Sequence, residues 1–186
     1  MKLYLFPPVP NSFRIIALLT DLGVEAEIIS LNLLAGETRT ESFLAINPLG
    51  TVPTLVDGDL VLWESRPIMG YLASMRPDAG LYPDDPAKRA MIDQWMYWEA
   101  FNIGPALLNL GNERVVNPLM GRPGDSDLAE KSETKFYQDL PFLEASLQKN
   151  EGVAGDISIA DYLLGGMFGL RNACGLDLSG YDGVNR

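Results

Sequence analysis

At 186 residues, 47% apolar and 21% charged, the chain is long enough for one large domain or two small ones and apolar enough to bury a packed core. Fourteen Lys and Arg against 25 Asp and Glu give a net charge of −11, which disfavours nucleic acid and anionic membrane, since both attract cationic surfaces. The single cysteine, Cys174, excludes an intrachain disulfide, and the absence of histidine excludes His-based metal sites and Ser-His or Cys-His catalysis. Chemistry here must rest on carboxylates, hydroxyls, amides, backbone groups, Lys, Arg, Cys174 or a bound cofactor.

Residues 2–6, "KLYLF", form a short predicted strand ended by the proline-rich "PPVPN". From Ser12 to Leu22 the period becomes helical, with Ile15, Leu18, Leu19 and Leu22 on one face and Gly23 as the stop. "VEAEIISLNL" (24–33) is a second strand, and the intervening length suits a crossover between parallel strands. After the polar "LAGETRT" comes a short helix around Glu41–Ile46, closed by "NPLG". Val52 to Trp63 then reads as a hairpin with Asp57-Gly58 as its turn signal, although Pro53 argues against a central strand because it cannot donate a ladder bond. "ESRPIMGYLASMRP" starts a helix with Ser65 as N-cap and Pro77 as terminator. The order β-α-β-α-β-β-α over residues 1–76 predicts a compact α/β unit with a mixed sheet.

Residues 77–86, "PDAGLYPDDP", read as a linker, and 87–186 as an all-helical domain. Its predicted elements are a helix over 87–110 carrying Met91, Trp95 and Trp98, a Gly/Pro-rich loop over 111–126, an amphipathic helix over 127–148 with a kink at Pro141, and an apolar helix over 158–173. "DISIADY" (156–162) supplies a capping box, Ser158 with Asp161, and a hydrophobic staple, Ile157 with Tyr162. Cys174 is expected to be a core residue in the apolar helix. The chain holds no uninterrupted run of roughly 18 apolar residues, and "MKLYLFPPVP" lacks the features of a secretory signal, so a cytoplasmic protein without membrane contact is expected.

Three stretches, "NPLGTVPTLVDG" (47–58), "LWES" (62–65) and "DISIADY" (156–162), followed and separated as they are here by a helical second half, resemble the cytosolic glutathione S-transferase family. The resemblance spans essentially the whole chain. It implies a thioredoxin-like N-terminal domain with Pro53 in a cis peptide bond, an all-α C-terminal domain that stops short of the family's usual length, and a homodimer. It also implies that glutathione serves as co-substrate, without a metal, for detoxifying transfer to a small electrophile or for disulfide or peroxide reduction. A non-catalytic interaction or regulatory module is the alternative, since the family includes such members.

The same resemblance assigns roles to residues. Thr51, Val52 and Pro53 would offer a backbone edge that pairs with the cysteinyl backbone of glutathione, a one-residue case of strand addition. Ser65, at a helix N-terminus, would take the γ-glutamyl carboxylate, with Glu64 facing the α-amino group and Arg39 the glycyl carboxylate. The loop after the first strand, "PPVPNSF" (7–13), has no tyrosine or cysteine, and its "VPNS" is similar to a bacterial nu-class loop, with Val9 where a hydroxyl residue would stand. That leaves Asn11 as the expected donor to the thiolate, Ser12 as the alternative and Tyr4, inside the first strand, as a core residue.

Overall fold

The computed structural model describes all 186 residues, Met1–Arg186. The chain divides into two compact units, Met1–Pro83 and Asp84–Arg186.

The first unit is built on a four-stranded sheet of order β2-β1-β3-β4, comprising β1 (Lys2–Leu5), β2 (Glu27–Ser30), β3 (Thr54–Asp57) and β4 (Leu60–Trp63). β1 pairs in parallel with β2, as the crossover length predicts, and antiparallel with β3, which pairs antiparallel with β4. Helices α1 (Pro10–Leu22), α2 (Glu41–Leu44) and α3 (Ser65–Ser74) complete the unit. Leu3 and Leu5 of β1, Leu55 of β3, Ile15 and Leu18 of α1 and Ile68 and Leu72 of α3 are fully buried and form one apolar core. Alternation along β1 and the 3.6-residue period along the helices account for which side chains these are. This is the thioredoxin-like arrangement expected.

Several boundaries differ from the sequence expectations, each for a local reason. Helix α1 begins at Pro10 rather than Ser12, because proline at the first helical position needs no N–H partner and has φ preset. Its end follows expectation: Gly23 at φ 60° returns its N–H to the last turn, a conformation glycine adopts without a side-chain clash. β2 is four residues long instead of ten, since Asn32 leaves the strand to accept the Leu34 and Ala35 N–H groups in a turn. The hairpin turn falls at Gly58-Asp59, one residue later than expected, with Gly58 at φ 58°. Within 77–86 there is a 3₁₀ turn, Pro77–Ala79, and Pro86 already opens the next helix.

The second unit holds α4 (Pro86–Phe101), α5 (Ile103–Gly111), α6 (Asn117–Leu119), α7 (Ser126–Leu147), α8 (Ile159–Phe168) and α9 (Asp182–Asn185). Its core is made by fully buried Ile103, Leu107 and Leu110 of α5, Phe136 and Leu140 of α7, and Ile159 and Leu163 of α8. The single helix expected over 87–110 is broken at Asn102, whose backbone lies at φ −121°, ψ −93°. Pro105 explains the break, because in a continuous helix its ring would meet the Phe101 carbonyl. The expected loop over 111–126 instead begins with a π-helical turn, Asn112–Val116, leading into α6. Pro118 would press on the residue-114 carbonyl in a regular helix, and the wider turn before it gives room. α7 runs through Pro141. α8 stops at Phe168, five residues before its expected end, where Gly169 caps it. Cys174 therefore lies in the turns after α8 rather than within a helix, yet it is 1% exposed, and burial pushes its thiol pKa up.

The capping box forms as expected. The Ser158 N–H donates to Asp161 Oδ2 at 2.8 Å, the Ala160 N–H donates to Ser158 Oγ at 3.3 Å, and Asp161 Oδ1 also accepts the Val153 N–H at 2.8 Å. Ile157, proposed as one half of a staple, is 40% exposed. A second carboxylate anchors the end of the chain: Glu144 of α7 accepts the Gly183 and Val184 N–H groups, both at 2.9 Å, at the start of α9. Arg186 returns the link by donating to the Leu147, Asn150 and Glu151 carbonyls.

Ser158→Ala should lower unfolding free energy by about 1 kcal/mol, read from the midpoint of chemical denaturation. For Glu144, burial raises the pKa, but hydrogen bonds from Gly183, Val184 and Gln148 and the charge of Arg186 outweigh it and leave the pKa below its usual 4.5. A depressed folded pKa means that this stabilisation is present in full above the unfolded value and lost as pH falls through the folded one. Glu144→Gln should therefore lower Tm at neutral pH, and the gap to wild type should narrow as pH falls below the usual carboxylate range and the Glu144 carboxylate takes up its proton. A gap independent of pH would contradict the assignment.

Candidate functional site

The sheet register brings the sequence-predicted residues to one end. Tyr4 stands opposite Thr54, and Thr54 opposite Trp63, so the end of β1, the start of β3 and the end of β4 lie side by side. Parallel pairing puts the end of β2 there too, and the Leu31 N–H bonds the Leu5 carbonyl. From this edge emerge the loop into α1, the chain leading to Arg39, the corner 51–53 and the Glu64-Ser65 entry to α3.

Asn11 occupies the second position of α1. Its side-chain amide and backbone N–H make no hydrogen bond within the protein, and α1 has neither a side-chain cap nor an acidic residue in its first turn. The partial positive charge of that helix end is thus uncompensated by neighbours on its own helix. Ser12, one residue on, is fully buried, and its hydroxyl accepts the Phe6 N–H at 3.2 Å. The two residues grouped by sequence reasoning are therefore unlike: one amide is open to a ligand, whereas the hydroxyl already serves the backbone. Tyr4 is half-buried with its ring 5.5 Å from that of Phe43, which is core packing.

The Val52–Pro53 peptide bond is cis and Pro53 is buried. Val52 lies just outside β3, and neither its N–H nor its C=O is hydrogen-bonded within the protein. Such a backbone edge is a template for an added extended segment. Thr51 is exposed, while its carbonyl is turned inward.

Helix α3 begins at Ser65, so Glu64 and not Ser65 holds the N-cap position, and the Glu64 side chain makes no capping bond. Glu64 has φ 70°, ψ 137°, the sole non-glycine residue at positive φ. A conformation of this kind typically costs a non-glycine residue of order 1–3 kcal/mol. It turns the chain from β4 into α3 within one residue and leaves the exposed carboxylate beside the helix N-terminus. Ser65 is buried, its N–H unbonded within the chain, and its hydroxyl lies 3.5 Å from Arg14 Nη1. An N-terminus free of acidic first-turn residues, with a hydroxyl and a guanidinium next to it, suits a carboxylate.

Arg39, in the 3₁₀ turn Glu37–Arg39, is exposed and donates from Nη1 to the Leu49 carbonyl at 3.1 Å. Gly50, at φ 62°, lets it approach: a Cβ there would sit 2.7 Å from Arg39 Nη1. No group of three or more Cys, Asp or Glu side chains gathers that could hold a metal ion.

Sequence reasoning passed over two residues here. Arg14 is 1% exposed on the core face of α1. A charge one turn before Leu18 on an apolar stripe was the available signal. Asn47 is fully buried, and its side chain bonds Leu49, Thr51 and Thr54; as sequence, "NPLG" reads as a helix end and as part of a family motif, with no role for Asn47 itself.

Residues 1–74 match the glutathione S-transferase N-terminal domain family. Glutathione S-transferase F10 of Arabidopsis thaliana is 40% identical over 167 residues, covering 87% of this chain and 77% of the relative. Glutathione transferase F2 of Populus trichocarpa superimposes with a TM-score of 0.86 at 30% identity, covering 92% of this chain and 82% of that one. A structure of glutathione S-transferase-I bound with the ligand lactoylglutathione gives a TM-score of 0.89 at 30% identity, covering 99% and 90%. These similar proteins do not single out a bacterial type. The chain belongs to the glutathione S-transferase family.

Proposed function

We propose that the protein is a glutathione transferase whose N-terminal unit holds glutathione in an extended form across the sheet end described above. The observation that carries this reading is Val52, whose unbonded N–H and C=O lie at the same sheet end as the start of α3. The cysteinyl N–H and C=O of glutathione pair with these two groups. The γ-glutamyl carboxylate lies at the Ser65 N–H and hydroxyl, and Glu64 receives the α-amino group. Arg39 takes the glycyl carboxylate through guanidinium nitrogens not used on Leu49. Domain roles follow: residues 1–76 bind glutathione, 77–86 link, and 87–186 help select the second substrate.

The thiol of glutathione is mostly protonated at neutral pH, and donors at a helix N-terminus stabilise its anion. Asn11 donates its amide N–H to the sulfur and cannot accept the proton, which leaves to water or to a carboxylate of glutathione itself. The thiolate electron pair then forms a C–S bond to an electrophilic carbon, and the leaving group departs with the displaced pair. The same thiolate attacks a disulfide or peroxide, forming a mixed disulfide or a sulfenic acid that a second glutathione resolves. Val9, standing where a hydroxyl residue would be, is the ground for setting these reductions beside conjugation. Family membership supports a homodimer, a cytoplasmic setting and a detoxifying role. No helix is long and apolar enough to cross a membrane.

Asn11→Ala should bind glutathione with affinity within about threefold of wild type, by calorimetry, and lose most turnover across halide, peroxide and disulfide substrates. Unchanged turnover would refute the role of Asn11, and a wild type that binds glutathione without turnover on any of these would refute the enzyme. Ser12→Ala should instead lose about 1–3 kcal/mol of stability by denaturation, because it leaves the Phe6 N–H unpaired, while the folded variant keeps its activity.

A further inference from the structure

Asn47 makes no hydrogen bond to Val52, yet its side chain converges on the peptide group to which the Val52 N–H belongs. Its Nδ2 donates to the Thr51 carbonyl at 3.0 Å and to Thr54 Oγ1 at 2.9 Å, with Thr51 Oγ1, 3.3 Å away, sharing one of these two hydrogens, while Oδ1 accepts the Leu49 N–H at 3.1 Å. The Thr54 hydroxyl, also fully buried, donates to the same Thr51 carbonyl at 2.9 Å. That oxygen therefore receives two donors, one for each lone pair. Around them, the Gly50 N–H bonds the Asn47 carbonyl, so residues 47–54 close on themselves about one buried amide.

The Thr51 carbonyl and the Val52 N–H belong to one planar peptide group, so fixing the direction of the oxygen fixes that of the N–H on the opposite side. We infer that Asn47, seconded by Thr54, is a positioning residue that aims the Val52 N–H outward for pairing with an extended thiol peptide. This rests on the glutathione reading above. Without the two buried donors, the Thr51–Val52 peptide plane can rotate about its flanking φ and ψ. The edge then spends part of its time misaligned, which weakens the ligand by the fraction of competent conformer lost. Asn is suited to the task because its amide donates twice and accepts once without titrating. Asp at the same place would set an anion against the Thr51 carbonyl.

The test compares Asn47→Asp and Thr54→Val, both close in shape to the native residue, with Thr54→Ser, which keeps the hydroxyl. Each is measured for Tm, for the Kd of glutathione by calorimetry, and for kcat and KM. Asn47→Asp and Thr54→Val should weaken glutathione binding on the order of tenfold. Their kcat at saturating glutathione should stay within about twofold of wild type, because the edge binds ground and transition states alike. Thr54→Ser should restore wild-type affinity. A lowered Tm with unchanged Kd in the folded variants would overturn the inference and leave Asn47 as a purely structural amide. Should Asn47→Asp fail to fold, the contrast between Thr54→Val and Thr54→Ser decides the outcome. A wild type that fails to bind glutathione overturns the functional reading and this inference together; a wild type that binds, with variants that match it, overturns this inference alone.

Discussion

The short antiparallel ladder between β1 and β3 is the constraint on which the site depends. Its register, Lys2 with Val56, Leu3 with Leu55 and Tyr4 with Thr54, makes the third strand start where the first one ends. The β3–β4 hairpin then returns the chain to that same end. Segments more than fifty residues apart in sequence, the start of α1 and the start of α3, thereby open from one edge. A slip of one residue would exchange the faces of β3, taking Leu55 out of the core and turning Thr54 away from Asn47. Core packing and site geometry are thus set by the same few hydrogen bonds.

Polar groups at this end divide into those consumed by the fold and those left over. Ser12, Asn47 and Thr54 are fully buried and bonded, in line with the cost of leaving such groups unpaired in an apolar setting. The Asn11 amide and the Val52 backbone have no partner in the chain. A ligand that is itself extended and carries carboxylates complements what remains: a strand edge and two helix N-termini. The positive φ of Glu64 belongs to the same economy, since a local conformational cost keeps the entry to α3 open where a relaxed turn would extend the chain.

The helical unit shows how carboxylates replace disulfides and metals as fasteners in a chain with one cysteine and no histidine. Asp161 gathers the Val153 and Ser158 N–H groups at the head of α8, and Glu144 gathers Gly183 and Val184 at the head of α9. The two differ electrostatically. Burial dominates at Asp161 and pushes its pKa up against its hydrogen bonds, whereas at Glu144 the donors prevail over burial and hold the pKa down. Part of the strongly acidic composition is therefore structural rather than a solvated surface.

By itself the sequence determined the order of elements in the first 76 residues, the parallel β1–β2 pairing, the capping box and the family, because each is written in local spacing: alternation, helical period, cap residues and three motifs. It also marked Val52, Pro53, Glu64 and Ser65 as a group. Only the tertiary structure separated Asn11 from Ser12, since burial of a hydroxyl against a distant N–H leaves no mark on neighbouring residues. The roles of Asn47 and Arg14 depend on partners, Thr54 and Ser65, that lie seven and 51 residues along the chain, although the charge of Arg14 on an apolar stripe marked its position. The break at Asn102 and the π turn before Pro118 were legible in their prolines and were missed because apolar periodicity runs across both. Local chemistry is carried by neighbours in sequence, whereas the satisfaction of buried polar groups is decided between strangers that the sheet register brings together.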